Sequence, residues 1–313
     1  MQVRVLPLVI LFAGCSAPPS HSSSPKTHVA RGAGCARLDP SFLATTGVIV
    51  VTGRWHDHEV SILVDTGANS GSIAASATAG LAARPGEVAR VAGAAGQWKD
   101  SAIYDVQGLS IGSVTLATFM ATSATIGNDI GYAFAIGLEN LAPYLVDFDI
   151  DQGWFCLRDR LPDDDHPELT PMKLAHGRGD HKAISLDVTL AGTSVESMIL
   201  DTGAGVSTIN ESLLPRFRHR RLGAKVMSLE GTGVKQEEYF VEVESMCTLG
   251  ACASRHMLMP GADLSQLVGH KENGLVGVPF FHARRVILDF PRQQIGFEPS
   301  GSSLRTANPL ASP

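Results

Sequence analysis

The sequence predicts a mainly β protein built from two related lobes, each carrying one acidic loop. Short β-branched runs punctuated by turn residues fill most of the chain, and helical periodicity is scarce. A block of landmarks also occurs twice in the same order. The 313 residues suffice for one large domain or two ordinary ones, and 44% hydrophobic against 18% charged residues supports a substantial core. The 32 Gly and 17 Pro fit a turn-rich β architecture. A formal net charge of -6 gives no support for nucleic-acid binding.

The first residues read differently. A weakly positive start, residues 1–4, leads into an apolar run, residues 5–13, too short to span a bilayer. That layout predicts an export signal rather than a folded element. The run closes Leu11-Phe12-Ala13-Gly14-Cys15, which resembles the lipobox of bacterial lipoproteins, although Phe12 departs from the usual aliphatic residue. The resemblance implies a lipid anchor at Cys15 and a place in the bacterial cell envelope, facing the periplasm or the exterior. An ordinary signal peptide is the alternative. Residues 1–14 are thus expected as the signal and 15–44 as a tether, rich in Ser, Pro and Gly. Residues 45–158 are expected to form the first lobe, 159–180 a linker, 181–299 the second lobe and 300–313 a tail.

Within the first lobe, residues 48–51 and 60–64 are short β-branched runs separated by a polar turn. His56 and His58 lie in that turn, where exposed histidines are ordinary, and no third ligand makes them a metal site. Residues 72–81 carry the clearest helical pattern of this half. The linker is acidic and proline-bearing, and its Asp163-Asp164-Asp165 run reads as solvated. In the second lobe, residues 183–190 alternate apolar and polar, as a strand with one buried face does. The basic run at residues 216–221 reads as a solvated face, with anionic lipid head groups as the alternative. Without Cys15, the cysteines are Cys35, Cys156, Cys247 and Cys252. An even number in an exported chain suggests disulfides. Cys247 with Cys252 would bridge a hairpin, leaving Cys35 for Cys156. Four cysteines allow three pairings, and the sequence does not choose among them.

The repeat is the most specific signal. Ile62-Leu63-Val64-Asp65-Thr66-Gly67-Ala68 returns as Met198-Ile199-Leu200-Asp201-Thr202-Gly203-Ala204. Ala135-Ile136-Gly137 is echoed by Leu275-Val276-Gly277, and Val146-Asp147-Phe148-Asp149 by Val286-Ile287-Leu288-Asp289. Several landmarks recurring at nearly constant spacing point to a duplicated half.

The repeated motif also has chemical content. An apolar strand running into Asp-Thr-Gly sets a carboxylate where a buried strand breaks into a turn. Gly67 and Gly203 remove bulk beside that carboxylate, and Thr66 and Thr202 can turn hydroxyls towards a symmetric interface. Packed about a pseudo-twofold axis, the loops would bring Asp65 to face Asp201. Two such carboxylates cannot both ionise cheaply, so they share a proton and titrate as a pair. One then takes a proton from water while the other donates to a carbonyl oxygen.

At these residues the chain resembles the aspartic proteases, especially the retropepsin-like group, over residues 45–158 and 180–298. Two halves on one chain resemble the pepsin arrangement. The resemblance implies that Asp65 and Asp201 are catalytic, with Thr66, Gly67, Thr202 and Gly203 in the active-site loops. It also implies that Asp149 and Asp289 are structural. The apolar-apolar-Gly segments would pack beneath the loops in the crossing called ψ. Gly-rich flaps over the cleft would correspond to Gly93 and Gly96, with Trp98 beside them, and to Gly231 and Gly233. Ala68 and Ala204 replace the usual Ser or Thr of pepsin-like enzymes, removing a hydroxyl that would favour the ionised carboxylate. A working pH from mildly acidic to neutral follows. The implied enzyme is a monomeric aspartic endopeptidase acting on peptide or protein substrates, with no cofactor or metal. The alternative is a peptide- or protein-binding lipoprotein on the same fold.

Overall fold

Val50–Trp55 and His58–Val64 pair as an antiparallel hairpin, with Val50 opposite Leu63. Ile62, Leu63 and Val64 are buried on both faces, as a central strand requires. The computed structural model that contains this hairpin describes residues 9–10, 34–92, 98–176, 182–230, 235–261 and 273–301. Around the hairpin runs a nine-stranded sheet in the order Ala83–Ala92, Trp98–Val106, Phe119–Ala124, Gly71–Ala74, Phe134–Ile136, His58–Val64, Val50–Trp55, Leu109–Ile111, Val114–Thr115. A second nine-stranded sheet runs Val9–Ile10, His219–Glu230, Lys235–Thr248, Ala251–Gly261, Ser207–Asn210, Gly274–Val276, Thr193–Leu200, Lys182–Leu190, Lys173–His176. From Ala83–Ala92 to Val50–Trp55, the first order matches the second from His219–Glu230 to Lys182–Leu190. The repeat read in the sequence is therefore visible in strand order.

A six-stranded sheet joins the halves. Its central pair is Leu145–Asp149 against Arg284–Asp289, with Leu145 opposite Asp289 and Asp149 opposite Arg285. Each half contributes a hairpin, completed by Trp154–Arg158 on one side and Gln294–Pro299 on the other. Phe148 meets Phe281 edge-on at 6.0 Å across this junction, within one core cluster that draws on both halves.

The junction also holds a buried ion cluster. The Arg285 side chain is 1% exposed and donates Nε to Asp147 Oδ1 at 2.8 Å and Nη2 to Asp147 Oδ2 at 2.9 Å. Its Nη1 reaches Asp165 Oδ1 at 3.0 Å, and Arg158 Nε adds a bond to Asp147 Oδ2 at 3.2 Å. Asp149 and Asp289 close turns by accepting from Gln152 N and Arg292 N. Asp149 also accepts from Ser300 Oγ and Gly301 N.

Four expectations need correction. The fold begins before residue 45: Gly34–Arg37 pairs with the Trp154–Arg158 strand, and Cys35 is disulfide-bonded to Cys156. Asp39 then caps the helix Pro40–Thr45 through Ser41 N at 2.9 Å. The stretch 159–180 is not simply a solvated linker. Thr170–Pro171 and Lys173–His176 join sheets, and Asp165 is docked on Arg285. Residues 72–81 are not a helix. Gly71–Ala74 is a buried strand, followed only by a single 3-10 turn, Ala75–Thr78. The tail expected from residue 300 begins inside the fold, since Ser300 and Gly301 both bond Asp149. The second disulfide joins Cys247 to Cys252. Among the described residues no three His, Cys, Asp or Glu side chains cluster as a metal site, and no helix is long and apolar enough to cross a membrane.

Candidate active site

The acidic loops are held from beneath by short strands. Phe134–Ile136 runs parallel to His58–Val64 and antiparallel to Gly71–Ala74, the strands entering and leaving the Asp65 loop. Gly274–Val276 does the same for the Asp201 loop. Asp65 N donates to Ile136 O at 3.0 Å, and Asp201 N to Val276 O at 3.0 Å. The chain then passes under the loop, with Leu138 N on Ala68 O and Val278 N on Ala204 O, each at 2.9 Å. This passage needs a residue without a side chain. A Cβ on Gly137 would sit 2.7 Å from Ala68 O, and one on Gly277 2.5 Å from Val206 O. The apolar-apolar-Gly pattern thus records a close backbone crossing.

Above the crossings the loops interlock. Thr66 and Thr202 are fully buried and tie the loops with four hydrogen bonds: each backbone N–H donates to the other's Oγ1 at 3.0 Å, Thr66 Oγ1 donates to Leu200 O at 2.9 Å, and Thr202 Oγ1 to Val64 O at 2.7 Å. Each carboxyl then lies over the opposite glycine. A Cβ on Gly67 would stand 2.5 Å from Asp201 Cγ, and one on Gly203 2.5 Å from Asp65 Cγ. The structure brings Asp65, Thr66, Gly67, Asp201, Thr202 and Gly203 together in one site.

The carboxyls are fully buried, and each lies close enough for the charge of one to act on the other. Asp65 Oδ1 accepts from Gly67 N and Ala68 N, both at 3.0 Å, and Asp201 Oδ1 from Gly203 N at 2.8 Å. Among the described residues, neither Oδ2 has a hydrogen-bond partner. Two ionised carboxylates are both acceptors, so only a proton between them can make a hydrogen bond. Burial, followed by the Asp201 charge, raises Asp65 well above the carboxylate range, against the pull of the Ala68 and Gly67 amides. Burial lifts Asp201 to about 7, opposed first by the Gly203 amide. The pair holds a proton where an ordinary aspartate has lost its own.

Several residues near the loops escaped the sequence reading. Tyr132 is buried and its phenol is pushed up by burial and then by the Asp65 charge, so it stays protonated beside the site. Asn69 Nδ2 donates to Glu139 Oε1 at 2.8 Å, and its Oδ1 accepts Lys182 N at 3.2 Å, pinning the second half to the first loop. Its counterpart is Gly205, against which Gly47 packs, so no shared residue type marked the position. Cys15, Gly93, Gly96, Gly231 and Gly233 lie outside the described residues, as does the Trp98 side chain at the head of Trp98–Val106.

Residues 51–132, which include the first acidic loop, match the sequence model of the family described as Aspartyl protease. A comparison with curated proteins finds no match. Among solved structures, the fold is similar to that of the aspartic proteinase from Irpex lacteus. The TM-score is 0.51 at 14% identity, covering 88% of this chain and 100% of that one. At that identity the likeness is one of fold: mainly β, of the pepsin-like aspartic proteinase kind.

Proposed function

We propose that this chain is an aspartic endopeptidase whose water-activating pair is Asp65 and Asp201. One observation carries the reading: two fully buried carboxyls are brought together across interlocked loops, where burial raises both above an ordinary aspartate. Burying such a pair costs stability, and packing alone gives no reason to keep it. With one proton between them, the ionised member takes a proton from a bound water, and the water oxygen attacks the peptide carbonyl carbon. The protonated member donates to the carbonyl oxygen. The resulting diol then collapses, the C–N bond breaks, and the nitrogen leaves with a proton from the pair. A substrate laid extended between the halves would be held largely by backbone hydrogen bonds. The raised proton affinity supports work at mildly acidic to neutral pH.

Export and a lipid anchor at Cys15 belong to the same proposal. The two disulfides support it, since such bonds persist in oxidising compartments. The test is a digest of a peptide library by wild type, Asp65→Asn and Asp201→Asn between pH 4 and 8. Wild type is expected to cleave, with turnover falling at least about a hundredfold in each variant, the scale of a lost acid or base. Cleavage that survives either substitution contradicts the mechanism, and a wild type inert on every peptide contradicts the activity.

A further inference from the structure

The two halves answer one structural demand in different ways. The amide of the crossing glycine is buried under each loop and needs an acceptor. In the first half, Gly137 N donates to Asn140 Oδ1 at 3.0 Å. The matching position in the second half, three residues after Gly277, is Phe280, whose ring accepts nothing of the kind. Here Gly277 N donates to Ser207 Oγ at 3.0 Å instead. Ser207 is fully buried and occupies the place of Gly71, where a Cβ would meet the Phe119 ring at 2.6 Å.

The room for Ser207 comes from a third exchange. Gly71 pairs with Ala121 and Ser207 with Leu258, so Phe119 and His256, each two residues earlier, occupy matching places. His256 stands where the large ring stood, and its Nε2 lies 2.8 Å from Ser207 Oγ. An Asn, Gly and Phe set in one half has become a Phe, Ser and His set in the other. The amide it serves is central to the Asp201 loop. Val276 O takes the Asp201 amide on one side of Gly277, and Val278 N bonds Ala204 O on the other.

We propose that Ser207 and His256 are positioning residues for Asp201: the neutral imidazole accepts the Ser207 hydroxyl hydrogen, leaving a serine lone pair fixed on the Gly277 amide beneath the loop. This rests on the proteolytic reading of the site. The surroundings keep the ring neutral. Burial and the facing Arg284 guanidinium push it down to about 4. Arg284 lies over the Phe280 ring, bonds Cys252 O, and has Asp151 beyond it. On the Lys235–Thr248 strand the residue opposite His256 is Val243, which carries no charge. A protonated ring would turn Nε2 into a donor and leave the Ser207 hydrogen without its acceptor in a closed site.

The test uses the full-length protein on a cleaved peptide. Ser207→Ala, under conditions where circular dichroism shows it fully folded, is expected to lower kcat at least about tenfold with KM within about twofold, the signature of a displaced catalytic group. Adding Phe280→Asn supplies the first half's acceptor and is expected to recover most of that loss. An unchanged kcat in Ser207→Ala, or no recovery in a double variant that circular dichroism shows to be folded, overturns the proposal. Should either variant fail to fold, NMR of the wild type decides. The Gly277 amide shift must follow protonation of the His256 ring, and an amide that ignores it overturns the proposal. The NMR result stands even if no peptide is cleaved, so the two readings fail separately.

Discussion

Gly67→Ala is expected to abolish peptide cleavage and to destabilise the protein by about 3–5 kcal/mol, combining overpacking with the loss of interlocking hydrogen bonds. The added Cβ would lie 2.5 Å from both Asp201 Cγ and Oδ2, closer than any carbon contact allows. A surface side chain could swing away, but this carboxyl is fully buried on a loop tied at Thr202 and Val276. The loops must therefore part, which breaks the Thr66 and Thr202 exchange and separates the aspartates. Gly203→Ala repeats the clash against Asp65 and should do the same. Gly261→Ala, with nothing among the described residues within 4 Å of its Cβ, is the control. Urea unfolding and peptide turnover read the outcome, and a Gly67→Ala variant with normal activity would refute the loop geometry.

The junction sheet yields the second large effect. Arg285→Met is expected to cost about 3–5 kcal/mol, as removing one partner of a buried pair does. It strands Asp147, fully buried, leaving among the described residues the 3.2 Å contact from Arg158 to offset its charge, and it releases Asp165 from the junction. Replacing both members, Asp147→Leu with Arg285→Met, should recover much of the loss, because the desolvated charge disappears with its partner. Denaturant midpoints for the two singles and the double decide it. A double variant no better than the Arg285 single would mean that the guanidinium acts through packing rather than charge.

How much of this was legible in the sequence depends on how local each constraint is. The strand-Asp-Thr-Gly and apolar-apolar-Gly patterns could be read because burial and backbone crossing restrict neighbouring residues, and duplication printed each pattern twice. The Asp65 and Asp201 pairing followed from that doubling. Residues 72–81 misled because their small residues leave helix and strand open, and pairing of Gly71–Ala74 between two neighbouring strands decided the matter. Asp165 looked solvated because nothing nearby in sequence reveals an arginine 120 residues away. Ser207 and His256 left no signal for a related reason. Their partner amide is remote in sequence, and the first half solves the same problem with Asn140, so comparing the halves hides the substitution.

The measurement that bears most directly on the shared proton is stability against pH for wild type and the Asp65→Asn, Asp201→Asn double variant. A carboxyl whose folded value is raised contributes stability in full below its unfolded value near 3.9, and loses it as pH climbs to the folded value. For Asp201 that folded value is about 7, with Asp65 also raised. All other titrating groups cancel in the difference between the two proteins. For one shared proton the double variant should therefore gain on wild type by about 1 kcal/mol per pH unit between pH 4.5 and 6.5, with about 1.4 as the ceiling. A difference that stays constant across that range would mean two independently ionised aspartates, and would contradict the account.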